Sequence, residues 1–218
     1  MPFQALPPFS TPPRWCAVIA FLCAALMLSA CSGNPTAQRQ QYDFGLLPVH
    51  TVSAPAAAST SAATSVQISL AEINAPAALD STAMLYRLQY DNGQQLKPYA
   101  LHRWSMTPAA LLSQRLKAQM ATSGIQVAQQ GEAAQSWPLL RIDLDEFSQV
   151  FSSASHSNAH IDLRASISKN NILIAQRRFQ QQVSARSADA PGGAAAMQQA
   201  TDQLIQELNI WIRSLPLK

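Results

Sequence analysis

Carboxylates, imidazoles and thiols are the side chains here whose spacing could carry chemistry. Asp143, Asp145 and Glu146 form the one acid cluster. Two carboxylates on one strand face can divide the roles of general acid and general base. The same residues also suit the wet face of a sheet, paired across strands with Arg164 or Arg177, and this is the preferred reading. His156 and His160 stand four apart, a zinc-binding spacing on a helix, but here they span a turn and a strand start with no second ligand cluster nearby. His50 falls in a low-complexity stretch and His102 beside Arg103 on a strand. No serine sits in Gly-x-Ser-x-Gly, and 7 glycines in 218 residues build no phosphate-binding loop. Neither a catalytic residue, nor a metal, nor a dissociable cofactor is expected, and the protein is not expected to be an enzyme.

The thiols carry a different message. The three cysteines are Cys16, Cys23 and Cys31. Arg14 precedes an apolar run of fourteen residues, Trp15 to Leu28. A membrane-spanning helix needs about 20 such residues, whereas fourteen suits the core of a secretion signal. The run ends in Leu28-Ser29-Ala30-Cys31, which resembles the lipobox of bacterial lipoproteins at all four positions. That resemblance implies cleavage after Ala30, with diacylglycerol on the Cys31 thiol and an acyl chain on its amine. Two or more acyl chains hold a protein stably on a bilayer where one does not. Ser32 in place of Asp points to the outer membrane. Residues 1–30 are thus expected to leave as a signal peptide, taking Cys16 and Cys23 and leaving the mature body without cysteine.

Bulk charge excludes a further class. Arg14 is the sole charge in residues 1–30, so a net charge of +3 becomes +2 after cleavage. This is too weak and scattered for nucleic acid, which demands clustered Lys and Arg. Charged residues make up 12%, about half the share of roughly 25% usual in globular domains.

The elements follow from periodicity. Residues 31–41 read as a lipidated cysteine and a flexible tether, whose ten or so residues reach at most roughly 35 Å. Residues 42–64 read as a short strand, Tyr42–Leu47, plus a disordered Pro/Ala/Ser/Thr insertion over 48–64. The globular domain is expected over 65–218. Val66, Ile68 and Leu70 alternate, as do Met84, Tyr86, Leu88 and Tyr90. Asn92-Gly93 predicts a type I′ hairpin into a strand over 94–104. Thr107-Pro108 opens a helix bearing Leu112, Leu116 and Met120 and closed by Gly124. Over 137–150, Leu140, Ile142 and Leu144 face one way, then the phase flips to Phe147 and Phe151, which predicts a bulge near Asp145–Glu146. Strands over 158–168 and 172–183 turn at Lys169-Asn170-Asn171, and a last helix follows Gly192-Gly193. The order β-β-β-α-β-β-β-α predicts an α+β domain, a mainly antiparallel sheet with two helices packed on one face.

Aromatic side chains are the remaining candidates. Trp104, Tyr99, Phe147 and Phe151 could mark a partner or lipid surface, with Phe147 and Phe151 foremost because their strand phase opposes the core face. Leu79-Asp80-Ser81-Thr82-Ala83-Met84, then Tyr86-Arg87-Leu88-Gln89-Tyr90, Tyr99-Ala100, Arg103-Trp104, Pro108, Leu111-Leu112 and Arg115-Leu116 carry a family resemblance. With the lipobox and the short Tyr-containing strand, they resemble the ABC-type transport auxiliary lipoproteins, a group that includes the paraquat-inducible protein C type. The resemblance implies a non-enzymatic lipoprotein on the periplasmic face of the outer membrane. Its implied partner is the MCE-domain protein of an ABC system that moves lipids between the two membranes. Arg103, Trp104, Phe147 and Phe151 are the residues expected to meet that partner, and self-association stays open. The competing reading is a periplasmic scaffold for lipopolysaccharide export or cell-wall synthesis.

Overall fold

Ala159, Ile161, Leu163, Ala165 and Ile167 are fully buried along β7 (His156–Lys169), so its period of two matches a strand with one covered face. β7 pairs antiparallel with β8 (Ile172–Ser184) and with β6 (Leu139–Ser153). Asn170 and Asn171 take φ of 52° and 63° at the β7–β8 turn. Two consecutive left-handed residues make that hairpin of the I′ kind, matching the right-handed twist of its strands. The computed structural model describes residues 38–46, 66–132 and 136–217. Cys31, the signal and the 48–64 insertion lie outside the described residues. The chain divides after Gln38, and Arg39–Lys218 forms one compact unit.

The far edge of β6 forks. Beside its start run β2 (Val66–Leu70) and then β5 (Ile125–Gln129). Beside its second half run β3 (Ala83–Leu88), β4 (Gly93–Trp104) and β1 (Gln40–Tyr42). Among the described residues the eight strands make four parallel and three antiparallel pairings. The sheet is therefore mixed, not mainly antiparallel, and the element order differs from the expected one. The reason is connectivity. Strands that return after a helical crossover arrive parallel to their partners, and no local turn signal marks such a pairing. β5 is the strand missed. It is short, at an edge, and begins directly after Gly124, so its pattern merges into the helix end.

Pro108–Thr122 forms the helix α2, with Thr107 Oγ1 accepting from Ala110 N at 3.4 Å. Gly124 follows at φ +74°, the left-handed conformation that ends a helix without a Cβ clash. The last helix, α3, spans Ala190–Ser214 and starts earlier than expected. Asp189 Oδ1 accepts from Gly192 N at 2.8 Å and Pro191 sits in the first turn, so Gly192 and Gly193 belong to the helix. Leu111, Leu116, Met120, Leu204 and Leu208 from the two helices join one core with the β6 and β7 interior residues. The two long helices thus cover one face of the sheet, as the hydrophobic spacing predicts.

Three local expectations change. Gln89–Asn92 is a single helical turn, α1, and Gly93 has φ −65°, so no I′ turn forms at Asn92-Gly93. Asn92 instead uses its side-chain Oδ1 to accept from Gln94 N at 3.1 Å, the local competition that makes Asn a turn residue. The first strand is Gln40–Tyr42 rather than Tyr42–Leu47, so Gln40 and Gln41 belong to the sheet and not to the tether. As an edge strand it is exposed, which is why polar residues suit it.

Candidate docking rim

The bulge predicted near Asp145 exists, and it decides where the aromatic candidates go. Register slips between Leu144 and Glu146 in the pairing of β6 with β7. One extra residue inverts the alternation. Phe147, Gln149 and Phe151 consequently fall on the same face as Leu140, Ile142 and Leu144. Phe147 is 1% exposed and packs edge-on against Trp104, itself 2% exposed, at 5.6 Å between centroids. Phe151 is buried against Tyr86. Phe147, Phe151 and Trp104 are therefore core residues, which corrects their expected place on a partner-binding surface. Their phase opposes the core only if Asp145 is counted as an ordinary alternating position. Of the four named residues, Arg103 alone keeps an accessible side chain, half-buried on β4.

The acid cluster is taken up in local pairs. Arg87 meets Glu146 at 2.8 Å, Arg164 meets Asp145 at 3.7 Å, and Asn74 donates to Asp143 at 3.1 Å. Arg164 pairs as expected. Arg177 does not; it lies over the Phe179 ring, 4.9 Å from its centroid. Asp162, not singled out from the sequence, is nearly buried on the outer face, where Arg178 and Gln180 donate to it. The Arg178 hydrogen bonds hold its carboxyl below the usual carboxylate range. His156 is bonded to Ser153 and Ser155 at the β6–β7 turn, and His160 stands across from Gln182.

A polar knot ties the start of α3 to the sheet. Tyr99 donates to Gln149 Oε1 at 2.9 Å, and the Gln149 amide donates to Ser157 Oγ at 2.7 Å and to the Asp189 carbonyl at 3.1 Å. Gln149 is 1% exposed, and such a buried amide is tolerated only because its valences are met. Burial, with Tyr86 and Asp189 nearby, pushes the Tyr99 hydroxyl pKa up, so it stays a donor. Asp189 is held below the usual carboxylate range by Ser187 and by the Gly192 N–H, so it stays an ionised cap.

From this knot an aromatic row runs to the sheet edge. Tyr86 lies 4.6 Å from Tyr99, Tyr99 lies 5.8 Å from His102, and His102 lies 5.8 Å from Tyr42. Tyr42 Oη and His102 Nδ1 are 3.1 Å apart. β4 is irregular here: Ala83 faces Arg103 and Leu85 faces Pro98, so Tyr99–His102 stand opposite Met84 alone. The bulge pushes Ala100 and Leu101 outward, and Leu101 is 39% exposed. Alternation alone could not reveal it, because Pro98 and the mixed 99–102 segment carry no clear period.

A separate cleft of about 370 Å³ lies between the Asp43–Leu46 segment and α2. It is lined by Arg115, whose guanidinium donates to both Asp202 carboxylate oxygens and to the Phe44 and Gly45 carbonyls. That arginine acts as a structural clasp between the two long helices and the segment after β1. Among the described residues no group of acids and histidines is placed to hold a metal, and no helix is long and apolar enough to cross a membrane.

The buried polar groups of this α+β unit, Gln149 foremost, are engaged in holding the start of α3 to the sheet. The chain matches the model of the ABC-type transport auxiliary lipoprotein component over residues 49–209, and it belongs to that family of membrane-anchored lipoproteins. It is similar to a Xanthomonas campestris protein of the DUF330 family, at 25% identity over 67% of this chain and 84% of that one, with a TM-score of 0.61. A solved structure of an uncharacterized protein shares the fold, with a TM-score of 0.63 at 12% identity over 80% of this chain and 99% of that one. No curated protein matches the chain.

Proposed function

We propose that this protein is the docking lipoprotein of an MCE-type ABC system moving lipids between the inner and outer membranes. It is tethered to the periplasmic face of the outer membrane through diacylglycerol and an acyl chain on Cys31, and it is not an enzyme. The observation that carries this reading is the family match over residues 49–209. The lipobox-like Leu28-Ser29-Ala30-Cys31 supports the anchor. The pairing of Asp143, Asp145 and Glu146 with neighbouring side chains supports a structural rather than catalytic role for the acids. Two experiments bear on it. Globomycin, which blocks lipoprotein signal cleavage, should accumulate the precursor; unchanged processing would remove the anchor. Affinity purification of the mature protein should recover an MCE-domain protein, and repeated failure to do so would overturn the docking role.

A further inference from the structure

The sheet edge where β1 begins combines three properties. Leu101 stands exposed on the β4 bulge, with Ala100 beside it. Tyr42, Tyr99 and His102 form a half-buried aromatic row just behind that tip. Arg39 is exposed, Arg103 is half-exposed, and neither enters an ion pair among the described residues. An apolar tip, amphipathic rings and uncommitted cations are the elements of a surface that rests in a bilayer interface.

Chain connectivity brings this edge to the bilayer. Gln40 pairs with His102 and Gln41 with Arg103, so the anchored end of the chain enters the domain beside the bulge. From Cys31 to Arg39 the backbone spans eight residue steps, at most about 28 Å when fully extended. No other edge of the domain is bound so closely to the anchor by covalent length.

We propose that Leu101 and its rim, with Arg39, Tyr42 and Arg103, form a phospholipid-contacting face. Leu101 enters the boundary between headgroups and acyl chains, and the two arginines meet lipid phosphates. This contact rests on the Cys31 anchor proposed above. It fixes the domain's orientation, with the β7–β8 turn directed away from the bilayer.

The test uses the mature lipidated chain in vesicles of phosphatidylethanolamine and phosphatidylglycerol. Lipidation occupies Cys31 and cleavage removes Cys16 and Cys23, so Leu101→Cys supplies the single free thiol for a nitroxide label. Ile172→Cys, at a position 71% exposed at the β7–β8 turn, is the reference. The ratio of oxygen to aqueous-nickel accessibility should be about threefold higher at position 101 than at 172. Adding Arg39→Glu and Arg103→Glu should bring that ratio down toward the reference. Equal ratios at both positions in vesicle-bound protein overturn the lipid contact and leave the anchor standing. Protein that fails to float with the vesicles overturns the anchor, and the contact with it.

Discussion

Arg115 of α2 and Asp202 of α3 form a two-pronged ion pair, at 2.6 Å and 2.7 Å, across the seam of the two long helices. The Arg115 side chain is 4% exposed, and its Nη1 donates to the carbonyls of Phe44 and Gly45. One guanidinium thus joins both helices to the segment that leaves β1. Arg115→Ala would leave Asp202 and two carbonyls without that partner. Breaking a buried pair costs about 3–5 kcal/mol, and the partial exposure of Asp202 should bring this to about 2–3 kcal/mol. Denaturant unfolding measures it, and a loss under about 0.5 kcal/mol would show the clasp to be incidental.

Gly193 is required by packing. A Cβ there would stand 1.9 Å from Gln149 Oε1, and the Gln149 amide is pinned by Tyr99, Ser157 and the Asp189 carbonyl. At Gly124 a Cβ meets nothing within 4 Å, and only its φ of +74° resists substitution. Gly193→Ala should cost about 2–3 kcal/mol, through overpacking and a disturbed polar knot. Gly124→Ala should cost about 1 kcal/mol, through the left-handed backbone alone. Thermal denaturation of the two variants would reverse this order if Gln149 moved freely.

The β6 bulge is a phase device. Asp145→Ala removes an exposed ion pair, worth less than about 0.5 kcal/mol. Deleting Asp145 should leave the domain folded, because Leu144 and Glu146, which face Leu163 and Asp162, become neighbours in regular alternation and Phe147, Gln149 and Phe151 keep their inward phase. A deletion variant that loses the native near-ultraviolet circular dichroism would refute the phase argument.

Phe147→Ala should cost about 3–5 kcal/mol, the range for truncating a fully buried ring. Its Trp104 and Phe44 neighbours lie at 5.6 Å and 6.3 Å between centroids, so the cavity would open at the centre of an aromatic cluster. Calorimetry reads this directly. A stable, folded Phe147→Ala with impaired partner binding would return the ring to the surface role.

Asp162 makes stability fall in acid. Its pKa is lowered by the Arg178 hydrogen bonds foremost, so its folded-state value lies below its unfolded one. The stabilisation is present above the unfolded value, near pH 4, and disappears as pH drops through the folded value. Asp162→Asn should therefore be less stable than the parent at pH 7, with the gap closing below about pH 4. A gap constant from pH 7 to pH 2 would mean that the carboxylate charge contributes nothing.

Local code was legible wherever a short window contains its own cause. Thr107-Pro108, Gly124 and Lys169-Asn170-Asn171 marked their boundaries because caps and turns are made by adjacent residues. Ala159 to Ile167 declared one covered face because alternation is set by the pleat. Even the bulge at Asp145 was visible as a slipped phase, yet its consequence was misread: the slip brings Phe147 and Phe151 inward. Leu28-Ser29-Ala30-Cys31 and the 79–116 motifs pointed to a lipoprotein family without any fold, since export and lineage are written in linear order. Tertiary structure alone decided the rest. Parallel neighbours such as β2 with β6, or β1 with β4, are separated by tens of residues, and their pairing is set by the crossover path and shared core. The place of Leu101 beside the strand nearest the amino-terminal segment likewise exists only once β1 docks on β4. Contacts distant in sequence form because burying one common apolar face outweighs local preference, and no window of residues records which face that is.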